Sequence, residues 1–121
     1  MLNQTTGKNS ITLTHPVTIK ACASVVGKKE SEGPLSAYFD KTSKDTYFGE
    51  KTWEMAEKNM QEETLKILLQ KANINKTDIG AVLSGDLLNQ CISSAFTMRK
   101  TGMPHLGLYG ACSTMSEGLL I

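Results

Sequence analysis

The sequence predicts an α/β fold, a mixed sheet with a βαβ crossover and flanking helices. Three observations point to it. Residues 79–84, 88–100 and 106–109 read in turn as apolar run, helical pattern and apolar run, a strand–helix–strand unit of about 30 residues. Between 52 and 72, Trp53, Ala56, Met60, Leu65, Ile67, Leu68 and Ala72 fall mostly at helical spacings, with Glu and Lys between them. Val17, Ile19, Ala21 and Ala23 share one face at period two. A length of 121 residues suits one domain with a modest core.

The elements follow in order. Residues 1–10 are polar and read as frayed. Residues 11–13 and 17–23 read as strands, interrupted by His15-Pro16, since proline sits at strand boundaries. Residues 27–45, with GKKESEGP and DKTSKD, form a long excursion with one short helical turn near 36–39. Loops of that length are usually functional or touch a partner, and Tyr38 and Phe39 are its expected exposed groups. A helix of about five turns spans 52–72, with Thr52 as N-cap and Asn73 as terminator; its Trp and Met stripe reads as core contact. The apolar run at 79–84 is a buried strand ending at Gly85-Asp86. The helix at 88–100 stops at Gly102, a good C′ residue, and Pro104 prevents continuation. A strand at 106–109 leads into GACS, which opens a final helix. Two parallel strands and a right-handed crossover are implied.

Composition restricts the function classes. Hydrophobic residues make up 40% and charged residues 21%, and 13 basic against 12 acidic side chains leave a net charge of +1. That balance offers no basic surface for nucleic acid. The N-terminus lacks the pattern of a signal peptide, and no apolar run approaches the ~20 residues needed to span a bilayer. Synthesis in the cytosol and no integral membrane segment are expected. Cys22, Cys91 and Cys112 are widely spaced and odd in number, which argues against a disulfide framework and fits a reducing compartment. Neither His15 nor His105 recurs with Cys or carboxylates at metal-ligand spacing.

The βαβ reading puts Gly85-Asp86 and Gly110-Ala111-Cys112 at the carboxyl ends of parallel strands, the edge where open α/β sheets bind ligands. Cys112 is expected in the first turn of the last helix, where N–H groups and the helix dipole favour a thiolate or an anionic ligand. Position alone is equally consistent with a small packing residue. Asp86 reads first as a cap for the following helix and second as a ligand contact. Cys91 and Cys22 are expected to be structural. No Ser-His-Asp arrangement can be built: His105 starts the strand that runs away toward Cys112, roughly 20 Å along the chain. GLYG is no phosphate loop.

KKESEGPLSAYFDK, KTWEMAEKNM, GDLLNQ and YGACSTMSE together resemble the N-terminal part of the stage V sporulation protein AD family of spore-forming Firmicutes, from about Thr14 to the last residue. The resemblance implies a thiolase-like fold, with residues 1–121 as the N-terminal part of such a domain, truncated after the helix that starts at Cys112. It implies non-catalytic binding of dipicolinic acid (pyridine-2,6-dicarboxylate) by a soluble component of the spore inner-membrane channel used in sporulation and germination. The implied partners are the channel's membrane subunits, and the implied location is peripheral at that membrane. Gly85, Asp86, Ala111, Cys112 and Ser113 are the implied ligand-binding residues. No resident cofactor or metal is implied, with Ca²⁺ entering only alongside the ligand. Asp86 then either holds a Ca²⁺ that bridges to the ligand, or accepts from a donor and shapes the pocket. The alternative is a thiolase or ketoacyl synthase-like acyltransferase with Cys112 as nucleophile, its His and Asn partners coming from a second half. A third reading makes the 27–45 loop an interaction module. Folded alone, residues 1–121 would expose an apolar pseudo-dimer face that favours homo-oligomers.

Overall fold

Six short strands and four helices make up residues 4–5, 8–88 and 90–121, the part of the chain described in the computed structural model. In chain order they are β1 (Gln4–Thr5), β2 (Ile11–Thr12), β3 (Val25–Val26), α1 (Lys28–Ser31), β4 (Lys41–Thr42), α2 (Trp53–Ala72), β5 (Val82–Ser84), α3 (Ile92–Met98), β6 (His105–Gly107) and α4 (Thr114–Leu120). Single 3-10 turns lie at Ser36–Tyr38, Lys76–Asp78 and Ala111–Ser113. The result is mixed α/β. In place of one mixed sheet, the described strands form three two-stranded sheets. β1 and β2 are antiparallel, whereas β3 with β4 and β5 with β6 are parallel. The polar N-terminal stretch, expected to fray, thus contributes β1; residues 1–3 and 6–7 lie outside the described residues.

α2 forms where the periodicity put it. The Thr52 hydroxyl accepts the Met55 N–H at 3.3 Å, satisfying one orphan donor of the first turn. Asn73 takes a left-handed φ of 52° and ends the helix. Ala56 and Ala72 are buried, but Trp53 is 48% exposed and rests on the Tyr47 ring, centroids 4.4 Å apart. The tryptophan is therefore a half-exposed stacking partner rather than core. α3 packs on α2 at Thr97, whose hydroxyl meets Gln61, and Ser93, Ser94 and Thr97 are all buried. Short side chains let the helices approach closely. The Thr97 hydroxyl stays satisfied within the interface, 2.9 Å from the Ser93 carbonyl and 3.0 Å from Gln61 Oε1.

Several boundaries move for identifiable reasons. The expected strand at 17–23 belongs to no ladder, and Val17 and Ile19 are 83% and 87% exposed. Pairing begins instead at β3, because the Asp40 carboxylate accepts from the Ser24 N–H (2.9 Å) and hydroxyl (3.3 Å) and so sets the register with β4. The 27–45 excursion is built rather than loose. It carries α1, the turn expected near 36–39 and β4, and Lys71–Asp40 (2.8 Å) and Lys41–Glu63 (2.7 Å) tie it to α2. Tyr38 is exposed as expected, whereas Phe39 is half-buried. The strand expected from 79 starts at Val82, since Asn75 and Asp78 form a capping box around a 3-10 turn that extends to Asp78. α3 starts at Ile92 rather than 88 because Gln90 and Cys91 take φ of 48° and 79°, outside the helical region; Asn89 lies outside the described residues. Gly102 does adopt the left-handed conformation, with φ 73°.

Candidate functional site at the ends of β5 and β6

The βαβ unit is present: β5 and β6 run parallel with Val82 opposite His105 and Ser84 opposite Gly107, and α3 lies between them in sequence. Their carboxyl ends converge at Gly85. A Cβ on Gly85 would overlap the Leu108 carbonyl oxygen and stand 3.0 and 3.1 Å from the Thr114 side chain. Glycine is therefore the residue that lets the end of β5 lie against the end of β6 and the start of α4.

The turn after β6 is tight. Both the N–H and the hydroxyl of Ser113 donate to the Gly110 carbonyl, each at 2.8 Å. A side chain at Gly110 would collide with the Ser113 hydroxyl and the Glu117 carboxylate. Ala111 has a left-handed φ of 45°, which takes the chain out of helical geometry. Cys112 accordingly occupies the 3-10 turn and not, as expected, the first turn of the final helix, and its side chain is exposed. Ala111 and Cys112 open that turn, so their N–H groups have no acceptor within it.

Asp86 turns the other way. It is 5% exposed, and its Oδ2 accepts from the Ser94 N–H at 3.1 Å and the Ser94 hydroxyl at 2.9 Å. Ser94 is the third residue of α3, so the carboxylate satisfies one of the helix's unpaired N–H groups from outside, the capping role that the sequence suggested first. Of the five residues singled out, Gly85, Ala111, Cys112 and Ser113 gather around the meeting strand ends, while Asp86 is committed to α3.

Three contacts escaped sequence reasoning. Ser84 Oγ lies 2.9 Å from His105 Nε2. Measuring His105 along its strand toward Cys112 hid its neighbour across the ladder, which only the register reveals. Glu57 reaches from α2 to the end of β5, with Oε1 accepting the Leu87 N–H at 3.4 Å; its Oε2 is buried with no partner among the described residues. Cys91 Sγ donates to the Leu108 carbonyl at 3.2 Å, a structural role of the expected kind, whereas Cys22 is exposed. Among the described residues no group of three His, Cys, Asp or Glu side chains is arranged to hold a metal ion. No described helix is long and apolar enough to cross a membrane.

Comparison with known proteins now gives this geometry a family. The family model for stage V sporulation protein AD matches residues 7–121, beginning upstream of Thr14. Stage V sporulation protein AD of Bacillus subtilis (strain 168) is 39% identical over 116 residues, which cover 96% of this chain and 34% of that protein. The chain thus spans about a third of the length of the curated relative it matches. Since the family match takes in both strand ends and nearly the whole sequence, the chain belongs to the stage V sporulation protein AD family and to sporulation.

Proposed function

We propose that the chain binds dipicolinate without transforming it, at the meeting strand ends, as the N-terminal part of a thiolase-like domain peripheral to the spore inner membrane. The observation that carries the reading is the convergence at Gly85 of both strand ends, next to a turn with an exposed Cys112. The N–H groups of Ala111 and Cys112 supply donors for a carboxylate, and the small residues around them let an aromatic acid reach backbone. Because Asp86 is engaged by Ser94, its role is to shape the pocket. Any Ca²⁺ arrives on the ligand's own oxygens, which offsets the repulsion between the dianion and the Glu117 carboxylate that lies against Gly110 at the same turn.

Calorimetric titration with dipicolinate, with and without Ca²⁺, tests this. The expected result is saturable binding that Cys112→Trp abolishes. Asp86→Asn keeps an acceptor for Ser94 but removes the charge, so calcium dependence is unchanged if Asp86 only shapes the pocket. Its loss would restore the calcium-bridging role. A flat titration of the folded chain under both conditions overturns the binding reading. A mass increment on Cys112 after exposure to acetyl-CoA would instead favour acyl transfer to the thiol.

A further inference from the structure

Away from the strand ends, α2, α3 and the turns that follow them border a groove of about 450 Å³. Leu65 and Leu69 of α2 and the buried Met103 give it an apolar bed. Lys66 of α2, Lys76 of the 3-10 turn after it and Lys100 just past α3 line the same groove, and all three are exposed. Lysine stems lie along apolar surface while their ammonium heads stay in water, so the three cations stand on the rim. Their charge is not compensated. Among the described residues none of the three forms an ion pair. Glu62, the one acidic residue of the lining, is held by Lys58 at 2.8 Å, and Glu63 beside Lys66 is held by Lys41 at 2.7 Å. With a net charge of only +1 on the whole chain, this groove is a local excess of positive charge.

The remaining chemistry of the groove decides what kind of anion it suits. The Thr97 hydroxyl is taken up by the Ser93 carbonyl and Gln61, and the Thr101 hydroxyl donates to the Met98 carbonyl at 2.8 Å and accepts the Met103 N–H at 3.2 Å. Neither is left to orient a small polar ligand, which needs convergent donors inside its site. The lining holds no arginine and no aromatic ring, the groups that read or stack nucleic acid. A lipid surface would meet the lysines but leave the concave apolar bed unfilled. An apolar bed between cations is the complement of an amphipathic helix whose apolar stripe is flanked by carboxylates.

We infer that this groove is an interaction surface for an acidic amphipathic helix of a partner protein, its stripe on Leu65, Leu69 and Met103 and its carboxylates on Lys66, Lys76 and Lys100. Fluorescence anisotropy on the 121-residue chain tests it. The probe is a labelled peptide of about 18 residues, long enough to hold a helix, with Leu at i, i+3, i+4 and i+7 and Glu on either side. The expected result is saturable binding that weakens as salt rises and falls roughly tenfold in K66E/K76E/K100E. All three positions are exposed, so the variant keeps the circular dichroism of the folded chain. A peptide with Lys in place of Glu should reverse the preference and bind the triple variant more tightly than the unsubstituted chain. Equal binding by a peptide with Gln in place of Glu, or by one of the same composition with its Leu period broken, overturns the inference. Absence of peptide binding overturns it too; phosphatidylglycerol vesicles that then sediment the chain but not the triple variant assign the lysines to a lipid surface instead.

Discussion

At the scale of single residues, Asp86 and Cys112 divide the strand-end region between stability and contact. Asp86 is buried and accepts both donors of Ser94. Asp86→Ala leaves those donors without that acceptor and is expected to cost about 1–3 kcal/mol, measured by denaturant unfolding; Asp86→Asn, which keeps an acceptor oxygen, is expected to cost less. Cys112 is exposed, held out by the Ser113–Gly110 hydrogen bonds and the left-handed Ala111. The sequence did suggest that Asp86 caps the next helix, because an aspartate at a strand–helix junction meets unpaired N–H groups nearby. It could not indicate the Ser84–His105 contact, which arises only once β5 and β6 are in register.

At the scale of elements, what could be read from sequence was what local chemistry decides. α2 depends on Thr52, Asn73 and a helical stripe, all within its own 20 residues or next to them, and it appears as expected. Thr52→Ala removes the N-cap acceptor and should lower stability by about 1 kcal/mol in thermal unfolding. Residues 17–23 have an equally clear period, yet a strand needs a partner that the period cannot supply. The start of α3 was hidden for a different reason, since nothing local announces left-handed Gln90 and Cys91. The excursion at 27–45 is held by carboxylates. Hydrogen bonding to Lys71, then to the Ser24 N–H, keeps the Asp40 carboxyl below the usual carboxylate range. Lys41 lowers Glu63 in the same way, and the N–H groups of Tyr47 and Gly49 lower Asp45. A carboxyl whose folded pKa is depressed stabilises above its unfolded pKa and loses that contribution as pH falls through the folded value. Amide exchange protection at Lys41 and Ser43 is therefore expected to be steady from neutral pH down to the ordinary carboxylate range. Below that range it should fall, after correction for intrinsic exchange, and Asp40→Asn should lower it already at neutral pH and flatten the acid response.

At the scale of the whole molecule, a chain of the stage V sporulation protein AD family presents, among its described residues, two parallel two-stranded sheets and a strand-end region built at Gly85 and residues 110–113. The strand ends account for its proposed ligand. The strand-end region follows from βαβ logic: the parallel strands β5 and β6 gather their carboxyl ends on one edge. The central claim is that dipicolinate sits against the turn that carries Cys112, and the two exposed cysteines allow a direct measurement. Alkylation of Cys112 and Cys22, followed by peptide mass spectrometry with increasing dipicolinate, reads ligand contact at one thiol against an internal control at the other. The account predicts that alkylation of Cys112 slows with saturation while that of Cys22 is unchanged; equal rates at Cys112 with and without dipicolinate would contradict it.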